Sequence, residues 1–191
     1  MRKESEQAYV TALDELNIIM LTSYYAAKKP KDVMDDLFDI LVEAYLLGID
    51  HAGEMMDRVV VMEPEEMEAA VYRKIDGKDF ADRAAEHVRN GDTAGLQALA
   101  VSEYHRVYCE AVNDGVQQVI RETGAVVTKT WRTMMDDRVR DTHWSLEGMT
   151  IPVGTAFTAS DGDQALYPGG FANPENNVNC RCRLEYRRVN F

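Results

Sequence analysis

Apolar residues in the first 125 positions recur at intervals of three and four, which is the spacing of a helix that buries one face. Local signals place the ends of these helices: Asp32 follows Pro30 as an N-cap, Pro64 suits a first helical turn, and Gly124 suits a C-terminal cap. The second helix has a wide apolar face, which predicts a central place in a bundle. The pattern predicts helices over residues 4–25, 32–48 or beyond, 64–75, 78–90 and 93–123.

The pattern changes after Ala125. The stretch "VVTKTWRT" is rich in β-branched and aromatic residues and predicts a strand, and "RCRLEYRRV" alternates well enough to predict a final one. Glycine and proline are dense between Gly148 and Asn179, which indicates short strands joined by tight loops. We expect Trp131 and Trp144 to pack the small β core. The fold class predicted is α+β: an N-terminal helical bundle, residues 1–125, followed by a small, β-rich and loop-rich module, residues 126–191.

Charge separates the same two parts. The chain carries 33 acidic and 21 basic residues, a net charge of −12. Residues 1–125 hold 25 acidic and 13 basic side chains, whereas residues 126–191 hold 8 of each. Such an acidic body is repelled by nucleic acids and anionic membranes, so proteins are the expected partners. The start has no signal-peptide pattern and no stretch reaches the ~18 apolar residues of a membrane span, so we expect a cytoplasmic protein with reduced cysteines.

Two thiols lie one residue apart near the end of the chain, in "NCRCRL". In an extended segment alternate side chains share a face, so Cys180 and Cys182 would point the same way, ~7 Å apart. Two thiols cannot complete the tetrahedral shell of a zinc ion, and "DDRVRDTHW" supplies further donors in His143 and in Asp136 or Asp137. The sequence therefore predicts a zinc site made by His143, Cys180 and Cys182, with Asp137 as a candidate fourth ligand.

The same residues also allow interpretations that need no metal. A buried thiol often acts as a small apolar residue, and we assign Cys109, in the middle of the longest helix, to the core on that ground. Asp137, Arg140 and His143 are three residues apart, which allows an Asp137–Arg140 ion pair on a helical turn. The same spacing allows an acid–base pair of Asp137 and His143, but a charged turn is the favoured interpretation.

The segments "TWRTMMDDRVRDTHWSLEGMTIPVGTAF" and "YPGGFANPENNVNCRCRL" together resemble the phage minor head protein family, the head morphogenesis proteins related to protein F of phage Mu. Upstream, "VSEYHRVYCEAVNDG" resembles a helix of that family, with Ser102-Glu103 where Thr-Glu is usual. The resemblance covers roughly residues 80–191. The matching motif positions are Trp131, Asp137, Arg138, Arg140, His143, Leu146, Gly148, Phe157, and Asn179 to Cys182.

The resemblance implies a structural, non-enzymatic component of a phage or prophage head that acts in head morphogenesis at the portal vertex and in DNA packaging or ejection. Its implied partners are portal or capsid proteins, and its implied location is the virion, with the host cytoplasm during assembly. His143, Cys180 and Cys182 all fall on motif positions, so the resemblance also favours the metal. Trp131, Arg140, Gly148 and Asn179 are the implied structural motif residues.

Two other functions stay open. The first is a metal-dependent hydrolase or toxin-like enzyme domain carried by a phage protein, for which a zinc ion would keep one coordination position open. The second is a weak contact with DNA, which would depend on salt. The arginines that would make this contact are Arg181, Arg183, Arg187 and Arg188.

Overall fold

The computed structural model describes residues 30–75 and 77–189, so the helix predicted over residues 4–25 lies outside the described residues. The helices, in chain order, are α1 (Pro30–Met56), α2 (Pro64–Val71), α3 (Phe80–Asn90), α4 (Thr93–Thr123), α5 (Asp141–Trp144) and α6 (Pro174–Asn177). The strands are β1 (Val127–Arg132), β2 (Thr150–Pro152), β3 (Phe157–Thr158), β4 (Gln164–Ala165) and β5 (Arg183–Arg188). The predicted α+β class is confirmed. Among the described helices, none has the length and apolar character that crossing a membrane requires.

The centre of the helical part is the pairing of α1 with α4, and two glycines set how closely they approach. A Cβ on Gly48 of α1 would lie 2.6 Å from the Ala111 Cβ of α4. A Cβ on Gly115 of α4 would lie 2.6 Å from the Ala52 Cβ of α1. Each glycine costs its own helix ~1 kcal/mol relative to alanine, and the close contact between the two backbones explains why glycine stands there.

Several helix boundaries follow the local capping signals, but the starts of α1 and α3 differ from the prediction. α1 begins at Pro30, so Asp32 lies inside the helix and is not its N-cap, and α3 begins at Phe80, where the Asp79 side chain accepts the Asp82 N–H. α4 has the predicted bounds, with the Asp92 side chain accepting the Gly95 N–H at its start and Gly124 at φ 67° at its end. α2 begins at Pro64 as predicted, but it ends at Val71 and not near residue 75. The chain turns early because Ile75 and Lys78 exchange two backbone hydrogen bonds, of 2.9 and 3.1 Å, in an isolated β-bridge.

A three-stranded antiparallel sheet follows α4, in the order β2-β1-β5, and β3 and β4 form a separate hairpin. In the register of the sheet, Trp131 lies opposite Leu184 and Lys129 opposite Tyr186. The predicted final strand begins at Arg183, so Cys180 and Cys182 lie just before it. The side chains still alternate between two faces here. Cys180 and Cys182 are buried, whereas Arg181 is half-buried and Arg183 is exposed.

Apolar side chains form two buried clusters. The larger one lies in the helical part, contains Cys109 as predicted, and extends to Val127, Tyr167 and Tyr186 beyond the helices. The smaller one surrounds Trp131. Trp144 was expected in the small core but is 42% exposed, because it ends the one-turn helix α5 with its side chain on the outer face. The members of the smaller cluster are Trp131, Leu146, Phe157, Ala159, Ala165, Phe171, Cys180 and Cys182.

A charged network is buried where α4 faces α2. The Arg106 guanidinium is 2% exposed and donates to Glu103 at 3.0 Å, to Glu110 at 2.8 Å and to the Ala70 carbonyl at 2.8 Å. Burial acts to raise the pKa of Glu103, but Arg106 and then Arg83 hold it below its ordinary value. Arg106 is thus shared by two buried carboxylates, each of which has a second arginine partner: Arg83 for Glu103, at 3.0 Å, and Arg73 for Glu110.

The fold makes a stability prediction for this network. We expect Arg106→Leu to lower the free energy of unfolding by about 3–5 kcal/mol, because it leaves two buried carboxylates without their shared partner. Arg121→Leu is the matched control on the same helix: its pair with Glu66, at 3.2 Å, is exposed and should be worth less than about 1 kcal/mol. Urea denaturation followed by circular dichroism measures both, and equal effects would contradict this account.

Candidate metal centre

One histidine and two cysteines meet in the smaller core. The Nδ1 atom of His143 lies 3.5 Å from Cys182 Sγ and 3.9 Å from Cys180 Sγ. One ligand atom from each of the three side chains lies within 4.8 Å of the other two. All three residues are buried, with exposures of 1%, 6% and 5% for His143, Cys180 and Cys182. The structure therefore brings together the three residues that the sequence pattern proposed as ligands.

The donor set and its spacing fit zinc. With zinc–sulfur and zinc–nitrogen bonds of about 2.3 and 2.05 Å, a tetrahedral site separates sulfur from nitrogen by roughly 3.6 Å. The two measured separations, 3.5 and 3.9 Å, lie close to this value. Two thiolates and an imidazole are also ligands that zinc prefers. The side chains need little rearrangement to hold such an ion.

His143 is oriented by its short helix and by aromatic neighbours. Its backbone N–H donates to the Arg140 carbonyl at 2.9 Å, and its own carbonyl accepts the Leu146 N–H at 3.0 Å. The imidazole meets the edge of Trp131 at 5.6 Å and stacks on Phe171 at 5.2 Å between ring centroids. These contacts leave Nδ1 facing the thiols. Within the part of the chain described here, Nε2 is buried without a hydrogen-bond partner.

The chain before Cys180 is held from two sides. Arg140 donates to the Asn176 carbonyl at 2.9 Å and to the Val178 carbonyl. Asn179 has a φ of 55°, in the left-handed region that asparagine tolerates, and its N–H donates to Ser102 Oγ of α4 at 2.9 Å. The two predicted motif residues Arg140 and Asn179 thus fix the backbone that carries the first thiol.

The other two motif residues fix the side of the site that carries Trp131. Gly148 has a φ of 73°, and its N–H donates to the Trp131 carbonyl at 2.9 Å. Trp131 itself is fully buried and contacts Phe157, with ring centroids 5.1 Å apart, as well as His143. A tight turn after α5 therefore returns the chain to β1 and closes the aromatic wall beside the imidazole.

The aspartates proposed as oxygen ligands lie elsewhere. Asp137 is exposed and lies outside the group formed by His143, Cys180 and Cys182. Among the described ion pairs none joins Asp137 to Arg140, whose guanidinium binds backbone carbonyls.

Asp136 is engaged by an arginine. Arg181 donates to both oxygens of Asp136, at 2.8 and 2.6 Å, and this bidentate pair lowers the pKa of Asp136 to about 2. The carboxylate therefore serves to hold Arg181 on the outside of the Cys180–Cys182 segment.

The pKa values of the two thiols are shifted in opposite directions. The pKa of Cys180 is held below its ordinary value, first by a hydrogen bond from Cys182 and then by His105 and His143. The pKa of Cys182 is raised, because it donates to Cys180 and because it is buried. Cys180 is thus the sulfur that more readily carries negative charge, which a metal ligand must carry.

Ser102 of α4 also reaches this segment, through its hydrogen bond with Asn179, and the sequence did not assign it to the site. In the sequence, Ser102 and Glu103 stand where the family usually has Thr-Glu. Nothing in the spacing along the chain joins Ser102 to a segment more than 70 positions away. Only the packing of the tail on α4 brings the two together.

The fold and the cluster define an α+β protein whose C-terminal sheet closes around a buried histidine and two cysteines. The sequence pattern of the Phage Mu protein F like family matches residues 64–185, and the chain belongs to that family. Membership in this family supports the assignment of the chain as a phage head protein.

A second comparison finds a similar stretch in a larger protein. The chain is 27% identical over 144 residues to a protein of Enterococcus faecalis (strain ATCC 700802 / V583) named NAD(+)–arginine ADP-ribosyltransferase EFV. That match covers 72% of the chain but 29% of the relative. No solved structure matches the chain.

The geometry of the cluster makes a prediction about metal content. We expect the purified chain to contain about one zinc ion, and Cys182→Ser to lose it and to melt several degrees lower, because the smaller core loses its cross-link. Inductively coupled plasma mass spectrometry and a thermal melt measure the two effects.

Two variants serve as matched controls. Cys109→Ser changes a buried thiol outside the cluster, and Asp137→Asn changes the exposed carboxylate once considered as a ligand. Both should retain the metal. A metal-free wild-type protein that tolerates Cys182→Ser would show that the cluster is only a packed core.

Proposed function

We propose that this chain is a minor head protein with a structural, non-enzymatic role at the portal vertex during head morphogenesis. The observation that carries the proposal is the family match over residues 64–185, which spans α2 to β5 and includes the whole His–Cys–Cys cluster. The part of the chain that makes the site is therefore the part that the family shares. Its location would be the virion, reached from the host cytoplasm during assembly.

A structural zinc ion gives this role a physical basis. The segment between α5 and β5 has only short strands and one short helix, and the core beneath it is small. Small cores of this kind commonly need a metal or disulfide cross-link. Zinc held by His143, Cys180 and Cys182 would join the two ends of that segment and keep its surface in one shape for binding to portal or capsid proteins.

We also propose that the C-terminal strand makes a weak contact with DNA during packaging or ejection. Arg183, Arg187 and Arg188 on β5 are exposed, whereas Arg181 is paired with Asp136. The exposed three could bind phosphates, against the repulsion from the acidic helical part.

Virion composition tests the proposal directly. In the phage or induced prophage that carries this chain, the wild-type protein should co-sediment with heads and be detected in them by mass spectrometry. Cys182→Ser should reduce that incorporation severely, because the surface loses its fixed shape, while Asp137→Asn should be incorporated like wild type. A wild-type protein that stays entirely in the soluble fraction, apart from heads and portals, would overturn the proposal.

A metal-dependent enzyme is the second candidate, and a pocket favours it. His143, Cys180 and Cys182 line a narrow pocket together with Arg138 and Arg140. A catalytic zinc typically has three protein ligands and a water molecule, which this arrangement allows. The name of the Enterococcus relative describes a transferase, but the match spans less than a third of that protein, so we assign no transferase activity.

The number of protein ligands separates the two candidates. If the site is structural, X-ray absorption of the zinc-loaded chain should give two sulfur ligands, the imidazole of His143 and a fourth protein ligand that added anions do not displace. A fourth ligand that is water and is displaced by added anions, together with activity on a phosphate or ester substrate that Cys182→Ser abolishes, would instead favour the enzyme.

A further inference from the structure

The outer edge of the C-terminal sheet is a regular strand. β5 ends the strand order β2-β1-β5, so β1 is its only neighbour among the described strands. Trp131 of β1 directs its N–H and carbonyl toward the β2 side, in hydrogen bonds of 3.0 and 2.9 Å, whereas the Val126 carbonyl accepts the Val189 N–H at 2.8 Å on the β5 side. Alternate residues of an antiparallel strand point their backbone groups to opposite neighbours. Even-numbered residues of β1 therefore bond to odd-numbered residues of β5.

The even-numbered residues of β5 consequently turn their backbone groups away from the sheet. These residues are Leu184, Tyr186 and Arg188. Within residues 30–75 and 77–189, no backbone hydrogen bond outside the sheet engages their N–H or carbonyl groups. An edge of this kind can accept another extended chain as an additional strand.

The exposed side chains along this edge are positive. Arg183, Arg187 and Arg188 are exposed. Glu185 accepts a hydrogen bond from Arg132 at 3.1 Å, so its charge is already paired. Two such edges from two copies of the chain would repel each other if they paired. The edge of β5 therefore favours an extended partner that carries acidic side chains.

A segment of the helical part has the complementary properties. The sequence "RVVVM", residues 58–62, joins α1 to α2 and is called the valine segment below. Val59 and Val61 are 86% and 58% exposed, whereas Val60 and Met62 are half-buried. This alternation is that of an extended chain, and valine is among the residues that favour strands. No strand pairs with the valine segment among the described residues.

Helix α4 holds the valine segment in place. The Val61 N–H donates to Gln118 Oε1 at 3.2 Å. Val60 packs on the helical core, so close to α4 that a Cβ on Gly115 would lie 3.2 Å from its Cγ1 atom. The segment is therefore ordered before any partner arrives, which lowers the entropy cost of pairing.

We propose that the valine segment of one copy of this chain pairs with the outer edge of β5 in a second copy. The acidic residues beside the segment, Asp57, Glu63 and Glu65, are exposed and would lie near the exposed arginines of β5. The pairing would also cover Val59 and Val61. The two surfaces differ, so the contact is heterologous, and its repetition builds a ring or an open chain of copies. This inference goes beyond the proposed function and depends on neither the metal nor the phage role.

Sedimentation velocity of the full chain over a range of concentrations tests the inference. The wild-type average mass should rise above that of one chain. Val59→Asp places a charge in the contact, and Arg188→Pro removes an outward N–H without touching the bonds to β1, so each should weaken association about tenfold or more. The double variant Arg187→Glu with Arg188→Glu leaves the backbone intact and should act in the same way. Circular dichroism checks that each variant is folded.

Two conservative variants are the matched controls. Val59→Thr keeps a β-branched side chain without charge, and Arg188→Ala keeps the outward N–H. Both should associate much as wild type does. Arg188→Ala also removes a charge that the proposed DNA contact would use, so a loss of DNA binding with association retained separates the two roles of the strand.

An equal mixture of Val59→Asp and Arg188→Pro distinguishes the modes of pairing. One copy then supplies an intact β5 edge and the other an intact valine segment, so a dimer should form and should not grow further. A mixture that stays monomeric, or a wild type that is monomeric at about 100 μM, would overturn the inference. Association that survives in both edge variants would mean that the valine segments pair with each other, which would also show the inference to be wrong.

Discussion

The C-terminal part of the protein depends on one convergence, that of the His143 imidazole with the thiols of Cys180 and Cys182. These residues are 37 and 39 positions apart, and the intervening chain has short elements joined by turns. Such a chain pays a large conformational entropy on ordering, and a small apolar core offsets little of it. A metal held by these three side chains, as proposed above, would supply a strong local link between the two ends of the segment.

The same C-terminal region also packs against the helices. Tyr186 of β5 belongs to the helical core, and Gly169 at φ 86° comes so close to Arg106 that a Cβ there would lie 3.0 Å from it. The buried arginine therefore has two functions in the packing. It neutralises Glu103 and Glu110, and its aliphatic stem forms the surface on which the turn at Gly169 rests. The division of the chain at residue 125 into two domains stays a prediction.

The sequence was most informative where the cause of structure is local. Gly124 after Thr123 and Pro64 at a helix start are caps that act within one turn, and both helix ends were predicted correctly. The sequence was least informative where the structure depends on contacts with residues far away in the chain. The exposure of Trp144, the early end of α2 and the contact of Ser102 with Asn179 all depend on distant parts of the chain. The cluster of His143 with Cys180 and Cys182 is intermediate. The ligand chemistry of these residues predicted the site from the sequence, but only the fold shows that they meet.

The motif residues around the cluster act mainly on the backbone. Arg140 binds two carbonyls, Asn179 adopts a positive φ and donates to Ser102, and Gly148 closes a turn onto Trp131. None of these contacts positions a group for proton transfer to a substrate. A catalytic centre needs polar side chains aimed into its pocket. Here the Arg140 guanidinium and the Asn179 backbone N–H both hold the chain, which agrees with the structural role proposed above.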